Sequence, residues 1–288
     1  MSDKIISSPL NWYGGKCGNN QRELLKTIIN YINNYNEIIF VDVFGGSGVV
    51  AINVKKELRV YNDIYSNLFN FFNVLRDDAL CEDLVSRLTL TLYGKETYKD
   101  AQNNLSKVTG SVDKAYYFYI ATMQSIDSAG SMNHKSGWSY SKKDSRRGMA
   151  QAVSRWLRNV DENLPDSVEQ IRELQVTNED AFDCINRWNR SNAIFYLDPP
   201  YMKESRVSKE VYNNEFTVEE HKKLIDTLIK VNGNAIISGY DSEIYDKLAQ
   251  NGWSKKEFKV CTSTSPCENN PIRKEVIWAK ESIIDNKI

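Results

Sequence analysis

Apolar and polar positions fall into blocks along the chain. The first sustained apolar run, IIFVDV at 38–43, breaks into FGGSG at 44–48. A short apolar run closed by glycines predicts a buried strand. VVAINVKKE then suits a helix, and LRVYN at 58–62 predicts a second strand, followed by Asp63 and a helix through about Leu75. Strand, glycine loop, helix, strand is the opening of a doubly wound α/β sheet. Between about 77 and 175 the alternation is lost. VDKAYYFYIATMQS at 112–125 predicts a buried helix, a polar loop follows, and a further helix is expected from about Met149 to Asn163, with Pro165 just beyond it. Alternation resumes with AIFYL at 193–197, an expected strand. A helix over 217–231 opens with Thr217 and Glu220 at capping-box spacing and has Gly233 as its stop signal. NAIIS at 234–238 predicts a strand, DSEIYDKLAQNG a helix, and two late strands fit 256–262 and 275–280. The organisation expected is a core domain of residues 1–76 and 176–288 with an inserted, mainly helical domain at 77–175.

Composition adds bounds. With 288 residues, 41% of them hydrophobic, the chain suits a large core domain carrying a smaller one. The five cysteines include no Cys-x-x-Cys pair and there are two histidines, so neither a zinc site nor a disulfide framework is indicated. The start, MSDKIISSPLNWYGGK, has no apolar run like a signal peptide, and no stretch approaches the roughly 18–20 apolar residues of a membrane span. A cytoplasmic protein is expected. The formal net charge of −1 hides a basic segment: His134–Arg158 carries Lys135, Lys142, Lys143, Arg146, Arg147, Arg155 and Arg158 against one acid, Asp144. Trp138, Tyr140 and Trp156 are interleaved with them. Such a run is commonly a solvated face; inside an insert it suits phosphate contact.

The chemistry concentrates in FYLDPPY at 195–201. Prolines donate nothing to a sheet ladder, so the strand must end and leave Asp198 at its carboxyl end, where open α/β sheets bind ligands. Pro199 and Pro200 stiffen the loop and leave their carbonyls free as acceptors. The Asp198 carboxylate, one such carbonyl and the Tyr201 ring make a pocket for a flat ring bearing an amino group. Two further segments are ambiguous when read alone. FGGSG permits close approach of a ligand to the backbone, or is a tight turn. Asp63 serves equally as a holder of ribose hydroxyls and as a helix N-cap. NWYGGK at 11–16 reads as a surface turn.

In order, NWYGGK, DVFGGSG, NDIYSNL and YLDPPY resemble the amino-group DNA methyltransferases, in particular the Dam-like adenine methyltransferases in their alpha arrangement, and the late EVIW at 275–278 is similar to that family as well. The resemblance implies a Rossmann-like, mostly parallel seven-stranded sheet, S-adenosyl-L-methionine as cofactor and double-stranded DNA as partner. It implies a bacterial, archaeal or phage source, no metal and, in a restriction–modification pair, an endonuclease counterpart. Carried over by position, Trp12 and Lys16 line the methionine end of the cofactor, the loop of Phe44, Gly45, Gly46 and Gly48 passes beneath it, and Asp63 holds the ribose. Asp180 and Phe182, in NEDAF, meet its adenine; a plain N-cap competes for Asp180. Asp198, Pro199, Pro200 and Tyr201 hold the target base, and Asp198 touches the cofactor as well. Lys135, Trp138, Tyr140, Lys142, Lys143, Arg146, Arg147 and Arg155 face DNA. The expected reaction is methyl transfer to N6 of a flipped-out adenine. N4-cytosine methylation uses a related pocket that more often resembles Ser-Pro-Pro-Tyr; RNA is a further substrate class. An inactive DNA-binding module does not account for an intact DPPY, and an oxidoreductase lacks its dinucleotide fingerprint.

Overall fold

The computed structural model describes residues 5–16, 18, 21–126, 128–132, 136–201, 216–261 and 272–281. Its centre is a seven-stranded sheet. In chain order the strands are β1 (Ile39–Asp42), β2 (Leu58–Asn62), β5 (Leu174–Thr177), β6 (Ala193–Leu197), β7 (Asn234–Tyr240), β8 (Ser254–Cys261) and β9 (Ile272–Ala279); β3 (Ser145–Arg146) and β4 (Met149–Ala150) form a separate hairpin. The sheet order is β5-β2-β1-β6-β7-β9-β8. The first five in that order run parallel, while β9 is antiparallel to both β7 and β8. β1, β6 and most of β7 are buried on both faces, which is why they read as continuous apolar runs rather than alternating ones.

The chain leaves β1 toward β2 on one side and returns to β6 on the other. The strand order therefore reverses at β1 and β6, and the carboxyl ends of these two strands border the crevice where such sheets bind ligands.

Helices cover both faces. One apolar cluster joins α1 (Arg22–Asn34), α2 (Ser66–Arg76), α3 (Asp78–Thr89), α5 (Ser111–Met123) and α7 (Leu164–Arg172) to Phe40, Tyr61 and Ile194 of the sheet. The other joins α8 (Ala181–Trp188) and α9 (Val218–Ile229) to Val41, Phe195 and Ile237. Part of the segment expected as an insert thus shares the apolar cluster of α1 and α2. Helix α1 lies outside the blocks read from the sequence, although Leu24, Leu25, Ile28, Ile29 and Ile32 recur at helical spacing and are buried.

Several elements differ from expectation. Residues 49–53 form turns, with Ile52 N–H donating to the Gly48 carbonyl at 3.0 Å, rather than a helix. Val49, Val50, Ile52 and Val54 are β-branched and buried there, which disfavours regular helix. The helix expected from Met149 begins at Gln151 as α6 (Gln151–Arg158), because Met149 and Ala150 pair with Ser145 and Arg146. It passes through a π turn at Asn159–Asn163 directly into α7, so Pro165 sits in a first helical turn, where its missing N–H costs nothing. The capping box at Thr217 and Glu220 is formed, with Thr217 Oγ1 accepting from Glu220 N–H at 3.2 Å.

Gly233 has another role than stopping a helix. Helix α9 ends at Ile229, and Gly233 lies where the chain enters β7 against the turn before β6. A Cβ there would fall 2.0 Å from the Ala193 carbonyl oxygen and 2.6 Å from that of Arg190. Both are backbone atoms and neither can rotate away. Gly233→Ala is expected to lower stability by about 1–3 kcal/mol or more, read as a lower urea midpoint with an unchanged slope.

Candidate active site

Asp198 directly follows strand β6, and the segment before α1 brings Lys16 to meet it. Gly15 N–H donates to the Trp12 carbonyl at 2.9 Å, so NWYGGK is a tight turn, as its glycines suggest. The turn aims Lys16 inward, leaving it 2% exposed. Its ammonium lies 2.8 Å from each Asp198 carboxylate oxygen and 2.6 Å from the Tyr201 hydroxyl. Burial alone lowers the Lys16 pKa, but Asp198 and Glu275 outweigh it and the net shift is upward, so Lys16 is a cation. Stripping such a buried ammonium of its carboxylate costs about 3–5 kcal/mol.

Three more side chains complete the cluster, of which sequence reasoning found one. Ser238 of β7 donates to Asp198 Oδ1 at 2.9 Å. Tyr201 packs its ring on Tyr240, with centroids 4.4 Å apart, and its hydroxyl lies 3.1 Å from Asp198 Oδ1 and 3.2 Å from Glu275 Oε1. Glu275 of β9 is 2% exposed, 3.8 Å from the Lys16 ammonium, and accepts from Gln21 Nε2 at 3.2 Å. Burial raises its pKa, and so does Asp198, while Lys16 pulls it down. Burial, with Asp198 and Glu275 nearby, lifts Tyr201 well above the ordinary phenol value, so it stays a hydroxyl.

Beside this cluster lies the glycine loop. Gly45 passes so close to Tyr61 that a Cβ would sit 2.2 Å from a ring carbon, and Tyr61 is itself stacked on Phe72. Gly46 has φ of +48°, and the Trp12 indole would meet its Cβ at 2.9 Å. Trp12 thus lies against the glycine loop at Gly46, while Gly48 faces Phe72. Asp63 grips the same loop, one oxygen accepting from Gly46 N–H at 2.9 Å and the other from Tyr65 N–H at 2.8 Å. Asn62 pins the surroundings. Its amide donates to the Val43 and Glu179 carbonyls, each at 3.1 Å, and its oxygen accepts from Thr177 Oγ1 at 2.8 Å and Glu179 N–H at 2.9 Å. One buried amide therefore ties the ends of β1, β2 and β5 together with all its bonds satisfied.

Asp180 caps α8, accepting from Phe182 N–H at 2.9 Å, so the N-cap reading of this residue is realised. Phe182 stacks on Phe216 at 6.2 Å, and Phe44 meets the edge of Phe216 at 5.6 Å. Phe216 was not singled out by the sequence. These three rings pack on one another beyond the loop, and the Lys223 ammonium lies over the Phe182 ring at 3.8 Å.

The basic segment gives a separate surface. Lys142, Lys143, Arg146, Arg147 and Arg155 are exposed, and Tyr140 stacks on Trp138 at 5.6 Å. Arg147 and Gly148 both have positive φ, 54° and 74°, giving the two-residue hairpin turn that joins β3 to β4. Trp156 is core, 3% exposed and packed on Tyr119 and Tyr93. Lys135 lies outside the described residues. Among the described residues no helix is long and apolar enough to cross a membrane, and no group of His, Cys, Asp and Glu is arranged to hold a metal ion.

A seven-stranded sheet with an acidic DPPY loop at its switch point, facing a glycine loop and a turn-borne lysine, defines a class. Residues 12–262 match the D12 class N6 adenine-specific DNA methyltransferases, and the chain belongs to that family. It is also similar to the modification methylase StsI of Streptococcus sanguinis, 28% identical over 207 residues. That stretch is 69% of this chain and 29% of the relative, so the chain spans about a third of the length of the protein it matches.

Burial raises the Asp63 pKa to about 6, against the two backbone N–H bonds that lower it. The folded state thus binds this proton more tightly than the unfolded chain, whose carboxyl titrates near 3.8. The resulting stabilisation is complete below about 3.8 and is lost as pH rises through about 6. A carbon-detected NMR titration should place the Asp63 midpoint near 6. Urea midpoints should fall between pH 4 and 6.5 more steeply for the wild type than for Asp63→Asn.

Proposed function

We propose that the chain transfers a methyl group from S-adenosyl-L-methionine to the exocyclic N6 of an adenine flipped out of duplex DNA. The observation that carries this reading is the Asp198 carboxylate, held by Lys16, Ser238 and Tyr201 at the end of β6 and immediately followed by two prolines.

The residues present fit the cofactor. Among the described residues Lys16 is the one cation beside both Asp198 and Glu275, so two carboxyl groups share a single ammonium, a balance suited to a cationic ligand. Asp42 is 1% exposed with Oδ1 unpartnered among the described residues, and burial, with Asp198 and Asp63 nearby, pushes its pKa well up. Each Asp63 oxygen keeps a lone pair beyond its N–H bond, open to ribose hydroxyls. Trp12 and Lys16 border the methionine end, the loop from Phe44 to Gly48 lies beneath, and Asp180 and Phe182, with Phe216 beside them, meet the adenine. The cofactor supplies a methyl group already activated on a sulfonium.

The chain's own residues then act on the base. The N6 lone pair of adenine is delocalised into the ring and is a poor nucleophile. Asp198 and the Pro199 carbonyl accept the two N–H bonds, which favours a pyramidal nitrogen with a localised lone pair. Pro200 stiffens the loop and Tyr201 flanks the ring. Alignment and electrostatic stabilisation provide the rest of the rate. Unstacking the base costs on the order of a few kcal/mol, offset by pocket and backbone contacts. Trp138, Tyr140, Lys142, Lys143, Arg146, Arg147 and Arg155 form the face that meets DNA, with Lys135 in the same run of sequence. An endonuclease counterpart fits the relative's name as a modification methylase.

Expression in a methylation-deficient host, followed by mass spectrometry of digested DNA, should show N6-methyladenine that is absent with Asp198→Ala. N4-methylcytosine in its place would keep the pocket and overturn the base. Lys142→Ala with Lys143→Ala should weaken DNA binding by about tenfold at moderate salt, with the ranking of sequences unchanged. A changed ranking would make these residues readers of bases.

A further inference from the structure

The Asp198 carboxylate must accept a hydrogen bond from the target amine, yet it is heavily subscribed before any base arrives. Its Oδ1 has two lone pairs and three donors, Lys16, Ser238 and Tyr201, and the Lys16 ammonium spans both oxygens at 2.8 Å. A carboxylate capped by an ammonium is a weak acceptor for an aromatic amine, because the adjacent cation drains the electron density that the amine's N–H requires. Moving Lys16 away into apolar surroundings is not open to a buried cation. It needs a second anion within reach.

Glu275 is placed as that anion. Its Oε1 lies 3.8 Å from the Lys16 ammonium and 3.2 Å from the Tyr201 hydroxyl, while its Oε2 is buried and makes no hydrogen bond among the described residues. The Tyr201 hydroxyl has one proton and two carboxylates at nearly equal distances, 3.1 Å to Asp198 and 3.2 Å to Glu275. Both donors on Asp198 that are not Ser238 therefore have a second acceptor in Glu275. A shift of the ammonium by about one ångström converts its contact with Glu275 into a hydrogen-bonded pair. Gln21 holds Glu275 from the far side at 3.2 Å and keeps the carboxylate facing the cluster.

We infer that Glu275 is a positioning residue that takes the Lys16 ammonium and the Tyr201 proton from Asp198 when the target amine engages, freeing Asp198 to accept from the base. The inference rests on the methyl-transfer reading. Glu275 touches neither cofactor nor base in this scheme; it acts through Lys16 and Tyr201.

The test compares wild type, Glu275→Gln and Glu275→Asp on a duplex bearing the sequence found methylated in cells. Single-turnover transfer is measured alongside dissociation constants for S-adenosyl-L-methionine and for the duplex, and thermal unfolding confirms the fold of each variant. The amide of Glu275→Gln keeps the shape but cannot neutralise an ammonium. It should slow transfer at least tenfold while both dissociation constants stay within threefold of wild type. Glu275→Asp restores the charge and should recover at least a third of the lost rate on a logarithmic scale. Three results overturn the proposal: transfer by Glu275→Gln at the wild-type rate, a loss of rate matched by an equal loss of cofactor binding, or a Glu275→Asp variant no faster than Glu275→Gln. Absence of transfer by the wild type itself removes the methyl-transfer reading, a failure distinct from all three.

Discussion

The rest of the site is organised around one ion pair, between buried Lys16 and half-buried Asp198. Its members are separated by 182 residues and come from opposite ends of the core, one ahead of the first helix and the other behind the fourth parallel strand. The buried Lys16 ammonium is not tolerable there without a carboxylate, so the pair couples the docking of the amino-terminal turn to the formation of β6. Tyr201, Ser238 and Glu275 are then explicable as the groups that fill remaining lone pairs and hydrogens around it. A purely apolar substitute would pack as well and cost less desolvation, but it would leave no acceptor at the mouth of the crevice.

Around the pair, backbone amides and buried polar side chains fix the crevice walls. Asn62 is the clearest case, because from the end of β2 its amide bonds to the ends of β1 and β5 at once. Asp63 ties the glycine loop to the start of α2, accepting from Gly46 N–H with one oxygen and from Tyr65 N–H with the other. These are short, satisfied contacts between neighbouring strand ends, and they hold the loop rigidly enough for Gly45 to lie against Tyr61. Rigidity here is built from polar groups, while the two apolar clusters below supply the stability.

The legible parts of the molecule were those whose chemistry is local. AIFYL, its terminal aspartate and the prolines are contiguous, and the observed β6 covers the same five residues as the expected strand. The capping box needs only Thr217 and Glu220. What stayed hidden depends on distant pairing. Ser238 and Glu275 reach Asp198 and Tyr201 only because β7 lies beside β6 and β9 beside β7, an order that no window of sequence contains. Phe216 joins Phe44 and Phe182 for the same reason. Trp156 misled in the opposite sense: amid basic residues it resembled a surface ring, but α6 is amphipathic and turns that position into the core while Arg155 faces out. The turns at 49–53 show tertiary packing and β-branching overriding a plausible helix.

Strand β9 is the last strand in chain order, yet it is inserted between β7 and β8 in the sheet. During synthesis Lys16 and Asp198 both emerge well before Glu275. Until β9 arrives, β7 has an open edge, a template for wrong pairing. The pairing of Ile236–Tyr240 with Glu275–Ala279 closes that edge and delivers the glutamate in one step. Contacts of such long sequence separation form late, after the loop between them has been closed. A nascent or prematurely ended chain therefore holds a recognisable but unfinished site, and the maturation of its chemistry is timed by the final act of sheet assembly.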